Sequence, residues 1–160
     1  MHTLPTFLCG LLTAASIGAA AQPGRSAVKP ADNPNCKMFS FAEMEKYLGK
    51  PIATIDHAAG GAGCQWLAKD EESSAIISVV GSRYFVAPKL GKGFKSLPKI
   101  GSQGYVLPEL DGWNAGTVIG ENGIVVLLSG KNKEAETIAL LEEAVRRHRL
   151  ADRPSPRAVP

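Results

Sequence analysis

Two hydrophobic periods alternate along this chain, and the switches between them mark its elements. Phe41, Met44, Tyr47 and Leu48 recur at three- and four-residue spacing, the stripe of a short helix. Ser40-Phe41-Ala42-Glu43 has the form of a capping box, with Ser40 at the N-cap and Glu43 reaching back to it. Gly49 suits the left-handed residue that ends a helix, and Pro51 prevents continuation. Strand-like runs follow at 52–56, 64–68, 74–80, 84–86, 104–107, 113–119 and 124–128, several of them rich in β-branched residues. Between them lie a glycine-rich turn (57–63), a polar turn (70–73), a Gly/Lys/Pro-rich loop (88–102), the turn Leu110-Asp111-Gly112, and Glu121-Asn122-Gly123, where Asn-Gly is a strong hairpin signal. A long helix is expected at 133–150. Ala135, Ile138, Leu141 and Val145 carry its apolar stripe, and Leu140 and Ala144 widen it. Glu134 and Glu136 sit at its start and Arg146 to Arg149 at its end, the order the helix dipole favours.

Helix, antiparallel strands, helix is the order of an α+β domain. An antiparallel β-sheet would carry a short N-terminal helix and a long C-terminal helix packed on one face, leaving the other face uncovered.

The ends of the chain differ from its middle. Residues 7–18 are apolar and uncharged, and Ala19-Ala20-Ala21 supplies an A-x-A site. The run is too short to span a bilayer, which takes roughly 20 apolar residues. Residues 1–21 therefore read as a signal peptide cleaved near Ala21, although only His2 and the α-amino group stand in for the usual basic start. No transmembrane segment remains after cleavage. Residues 22–34 read as a flexible leader, 35–152 as one folded domain and 153–160 as a disordered tail. The expected location is periplasmic or extracellular.

Composition adds little. The 18 basic and 15 acidic side chains give a net charge of +3, compatible with weak attraction to anionic polymers and demanding none. Two cysteines, Cys36 and Cys64, survive removal of the signal, and an even count in an exported chain suggests a disulfide. The competing readings, a redox pair or a metal site, lack a CxxC spacing and a neighbouring His.

Asn35-Cys36 leads into a helix that ends Tyr47-Leu48-Gly49-Lys50-Pro51. Gly60-Gly61-Ala62-Gly63-Cys64-Gln65-Trp66, a β-branched strand and Ile100-Gly101-Ser102-Gln103-Gly104-Tyr105 follow, before a strand-turn-strand-helix ending. This series resembles a group of small bacterial exported domains of unknown function, many of them lipoproteins. The resemblance covers nearly all of the folded region and implies a fold and a disulfide, but no catalytic residues. The segment from Ile100 to Tyr105 replaces the group's Leu-Gly-Asp-x-Ala-Tyr form, and the lipid-anchoring cysteine is absent, since Cys9 lies inside the apolar run.

Candidate chemistry is sparse. Ser96-Leu97-Pro98-Lys99 fits S-x-x-K, but its S-D-N and K-T-G partners are missing. Gly60 to Gly63 and Gly91-Lys92-Gly93 do not fit a phosphate loop and read as turns. Asp56-His57 lacks further ligands, so no metal and no cofactor is expected. Glu71-Glu72 and Glu142-Glu143 read as solvated charges. The densest basic patch is Lys89, Lys92, Lys95 and Lys99 with Phe94 among them; with Trp113 these are the candidate binding residues. Trp66 is expected in the core. The chain reads as a non-enzymatic binding or protein-interaction domain. Its partner would be a protein or an anionic envelope component rather than nucleic acid. The alternative is an accessory or inhibitor protein that acts on an envelope enzyme through the loop from Lys89 to Gly101.

Export and disulfide are tested together by the intact mass of the protein recovered from the periplasm of an expression host, alkylated with and without reductant. The expected product begins at Gln22 and takes up alkylating agent only after reduction. A mass beginning at Met1 defeats the first claim, and two thiols alkylated without reductant defeat the second.

Overall fold

The β-branched runs pair with their neighbours in sequence except at one place, and that exception shapes the molecule. The computed structural model describes residues 29–152; the expected signal, most of the leader and the tail lie outside the described residues. One seven-stranded antiparallel sheet contains β1 (Ile52–Ala58), β2 (Gly63–Ala68), β3 (Ser74–Gly81), β4 (Lys95–Ser96), β5 (Ser102–Glu109), β6 (Gly112–Ile119) and β7 (Asn122–Ser129). Helix α1 (Phe41–Leu48) precedes it and α2 (Glu134–Ala151) follows it. The strand order is β1-β2-β3-β7-β6-β5-β4. Two meanders, β1 to β3 and β4 to β7, are thus joined through β3 and β7 at the centre. The fold is α+β.

Both helices lie on one face. Trp66, Ile77, Val126, Ala115 and Val106, from five neighbouring strands, are buried there with Met44 and Leu48 of α1 and Leu140, Leu141, Ala144 and Val145 of α2. At roughly 1.5–3 kcal/mol for each large apolar side chain, this layer is the main stabilising term. Trp66 packs edge-on to Phe39, their centroids 6.3 Å apart. Its Nε1–H has no hydrogen-bond partner among the described residues, so the burial of the ring outweighs a cost of about 1–3 kcal/mol.

The ends of α1 follow the sequence. Ser40 and Glu43 form the capping box, and Gly49 adopts a φ of +72°. The stripe of α1 is narrower than its spacing suggests, because Phe41 is exposed. In α2 the buried face turns toward Thr137, and Ala135 points outward. His57 lies in β1 rather than in a turn. The last hairpin turns at Gly120-Glu121, since Ile119 already faces Asn122. Gly120 takes the positive φ, +57°, and Gly123 lies within β7.

A helix of two turns is not stable alone, and two devices hold α1. The Cys36–Cys64 disulfide joins its lead-in to β2, with Cα atoms 5.1 Å apart. Closing a loop of this size contributes about 3–4 kcal/mol in the chain-entropy picture. Asn33, inside the stretch read as leader, is buried. Its amide donates to the carbonyls of Gly61 and Gly63, and Asn35 donates to that of Ala62. At the other end Arg147 of α2 donates to Glu43 and Glu143, both at 2.6 Å, and to the carbonyl of Met38. Its guanidinium lies 4.2 Å above the centre of the Phe39 ring. Glu143 also accepts from Arg146, so it is an ion-pair partner and not a solvated charge.

These contacts predict acid sensitivity. The hydrogen bond from Arg147, then those from Ser40, lower Glu43 from the ordinary 4.5 to about 2. Arg146, with Arg147 behind it, does the same to Glu143. A folded value below the unfolded one gives stability that is complete above 4.5 and lost as pH falls toward 2. The Glu43 carboxylate is partly exposed, so its ion pair contributes only about 1 kcal/mol. Glu43→Gln is expected to lower the melting temperature at neutral pH and to flatten the decline in acid. Parallel pH–stability curves for variant and wild type would refute this role.

Candidate functional site

The passage from β3 to β4 is the one connection that cannot be a hairpin. β3 is central and β4 lies at the far edge, so the chain must cross β7, β6 and β5. The helices occupy one face, and residues 82–94 cross the other as a strap. The second face, which the sequence suggested would be uncovered, is therefore covered over β5, β6 and β7. Phe85 and Ala87 point inward and form a second small core with Tyr105 and Leu107. Phe94 joins them, stacked on Tyr105 with centroids 6.0 Å apart.

Two strand glycines make room for the strap. A Cβ on Gly123 would stand 2.7 Å from Phe85 atoms, and one on Gly116 would stand 2.9 Å from the Tyr105 ring and 3.1 Å from the Phe85 ring. No side chain fits beneath Phe85 at these positions, which accounts for glycine in two otherwise β-branched strands. Tyr105 donates from its hydroxyl to Asn114, and burial pushes it up to about 12, so it remains a neutral anchor. The start of the strap is fixed by the Ser82 N–H, which donates to the Glu121 carbonyl. The segment 84–86, read as a strand, pairs with no strand among the described residues: Tyr84 closes a single 3-10 turn (Ser82–Tyr84) and Phe85-Val86 continue as extended chain. Its in–out alternation is that of extended chain lying on a sheet.

With Phe85 and Ala87 inward, their neighbours face out. Tyr84 is 68% exposed, Val86 81%, and Leu90 wholly. The tight approach of Gly91 to Leu107 and of Gly93 to Pro108 sets the far end of the strap beside the β5–β6 turn. Leu110 in that turn is 91% exposed. Arg83 stacks on Tyr84, its guanidinium 4.7 Å above the ring centre. Lys89 and Lys92 are exposed.

The six candidate binding residues are not one patch. Lys89 and Lys92 lie on the strap, and Phe94 points inward beneath it. Lys95 and Trp113 lie on the helix side of the sheet. There Lys95 pairs with Glu134 at 2.7 Å and sits 5.8 Å from the Trp113 ring centre. Trp113 donates to the Lys131 carbonyl. Lys99 is exposed between Leu97 and Ile100, which both pack into the main core. Ser96 lies in β4 opposite Tyr105 and does not open a helix. Tyr84, Val86, Leu90 and Leu110 were not singled out from the sequence. Tyr84 to Ala87 is apolar throughout, so the sequence carries no sign of which of these side chains face the sheet.

A cleft of about 510 Å³ lies between Asn33, Asn35, His57 and the Gly60-Gly61 turn. Its amides are already engaged with backbone carbonyls, and Asn33 also contacts His57 Nδ1 at 3.1 Å. Among the described residues no three His, Cys, Asp or Glu side chains are grouped to hold a metal ion. No helix among them is long and apolar enough to cross a membrane. The chain matches no protein-family model, and neither curated proteins nor solved structures show a match to it.

The strap is expected to depend on its inward anchor. Phe85→Ala should cost about 3–4 kcal/mol. It should also speed tryptic cleavage after Arg83, Lys89 or Lys92 roughly tenfold or more under native conditions. Limited proteolysis followed by mass spectrometry reads this, and wild-type cleavage kinetics in the variant would show that Phe85 does not hold the strap.

Proposed function

We propose that this chain is an exported, non-enzymatic binding domain and that the strap across the second sheet face is its contact surface. One observation carries the reading: Tyr84, Val86 and Leu90 are exposed on a segment pinned to the sheet by buried Phe85 and Ala87. Large apolar side chains displayed together on an anchored segment mark an interaction surface. The cations beside them, Arg83, Lys89 and Lys92, have no acidic ion-pair partner among the described residues, unlike Lys95, Lys133, Arg146 and Arg147.

The carboxylates support a binding rather than a catalytic reading. Those held low, Glu43, Glu143, Asp70 and Glu136, each sit in an ion pair, between elements for Glu43 and Asp70 and along α2 for Glu143 and Glu136. Acids engaged in this way are structural partners rather than poised proton donors. The disulfide, together with the likeness of the Cys36, Leu48-Gly49 and Gly63-Cys64-Gln65-Trp66 positions to exported domains, supports an oxidising location outside the cytoplasm.

Capture from an envelope extract tests the assignment. Wild-type protein and Val86→Ser/Leu90→Ser are compared at low and moderate salt. Both positions are exposed, so the double variant is expected to keep its melting temperature while losing binding by roughly tenfold or more. Equal capture by both proteins would mean that the strap is not the contact surface.

A further inference from the structure

We infer that the partner of the strap is an anionic lipid bilayer, entered shallowly by Tyr84, Val86 and Leu90 with Arg83, Lys89 and Lys92 at headgroup level. The inference rests on the strap being the contact surface.

Three features of the strap favour a bilayer over a folded partner. The first is shape. Tyr84 closes a 3-10 turn, Val86 stands on extended chain and Leu90 lies in a turn, all on top of the sheet, so they are separate tips and not the wall of a groove. Positions 84 to 90 span at most about 20 Å of extended chain. A protein would need a pocket for each tip, whereas a fluid acyl boundary needs no preformed complement.

The second is charge. From residue 73 to residue 108 the chain carries Arg83, Lys89, Lys92, Lys95 and Lys99 and not one Asp or Glu. Lys95 is engaged with Glu134 on the opposite side of the sheet, whereas Arg83, Lys89 and Lys92 form no ion pair among the described residues. Acids border the strap at its two ends: Glu121, whose carbonyl accepts from the Ser82 N–H next to Arg83, and Glu109 and Asp111, which flank Leu110 in the β5–β6 turn.

The third is the order of residues. Arg83 stacks on Tyr84, so a cation and an interfacial aromatic ring occupy one level. Lys89 adjoins Leu90 and Lys92 follows it by two residues. Long aliphatic stems let such lysines reach phosphate while their neighbours enter the apolar layer.

Flotation of the protein recovered from the periplasm tests this, with phosphatidylcholine vesicles and with vesicles that also contain phosphatidylglycerol. Wild type is expected to float with the anionic vesicles and hardly with the neutral ones. Val86→Ser/Leu90→Ser should lower partitioning about tenfold or more. Lys89→Gln/Lys92→Gln should lower it roughly five-fold for each lysine removed. Added salt should weaken the wild type toward the lysine variant. Absence of flotation with anionic vesicles overturns the inference. So does equal flotation of all variants, which would place binding elsewhere in the chain, for example at Phe7 to Gly18 if that run is retained. If wild type ignores vesicles but captures a protein that Val86→Ser/Leu90→Ser loses, the bilayer is wrong and the strap remains the contact surface. If the serine variant changes neither assay, both readings fall.

Discussion

The antiparallel pairing of β3 with β7 sets the path of nearly everything else, because it seats the third strand against the last instead of against the fourth. Each meander would make a plausible small sheet by itself, with a bare edge. Joined at β3 and β7, they give one continuous layer wide enough for two helices, and Ile77 and Val126 become neighbours at its centre. The same pairing separates the end of β3 from the start of β4 by three strands. The chain must then cross a face of the sheet, and the helices leave only one face free. The strap is thus a consequence of strand order, and its inward residues, Phe85 and Ala87, are the means by which a crossing segment is kept from fluttering in solvent.

The far side of the β1–β3 meander is held differently. α1 is short and β1 is an edge strand, so local propensity and strand pairing contribute little there. Covalent and polar contacts do the work instead. Cys36–Cys64 and the Asn33 and Asn35 amides bind the lead-in to the turn before β2, and Arg147 reaches from α2 to Glu43, Met38 and Phe39. A partly exposed ion pair is ordinarily a weak contribution. Here one guanidinium satisfies two carboxylates and a carbonyl over an aromatic face, which orients α1 against α2 as well as stabilising it. The buried indole N–H of Trp66 lies in the same layer without a partner among the described residues, a local cost that the surrounding apolar packing carries.

Much of this was legible in the sequence, and the unequal success has physical reasons. The capping box at Ser40, the stop at Gly49, the charge order of α2 and the α+β class rest on interactions between residues close in the chain, so their signals are local. Phe41 and Ala135 were misplaced because helical spacing identifies a stripe but not its width; that is set by where the sheet lies. Asn122-Gly123 carries a genuine turn signature, yet the turn forms two residues earlier, at Gly120-Glu121, and Gly123 is needed beneath Phe85. The lysine cluster failed as a unit for a related reason. Residues near one another in sequence were divided between two faces of the sheet, and only strand pairing decides which face each receives. Nothing local marks Lys95 as a partner of Glu134, 39 residues away.

The strap also separates two demands that usually conflict. A surface that meets a partner gains from exposed apolar side chains, while a segment that exposes them loses the burial that would order it. Extended backbone over the sheet resolves the conflict through its two-residue period at Phe85, Val86 and Ala87, and the turns on either side of that stretch carry Tyr84 and Leu90 outward. Phe85 and Ala87 order the segment and Tyr84, Val86 and Leu90 are displayed by it, so the chemistry of the outer positions can change with little effect on the anchors. The glycines extend the same logic to the sheet: Gly116 and Gly123 give up side chains of their own so that the Phe85 ring can sit low. A bulkier residue at either place would lift the ring, and the outer side chains would lose their fixed height above the sheet before the main core on the opposite face was disturbed.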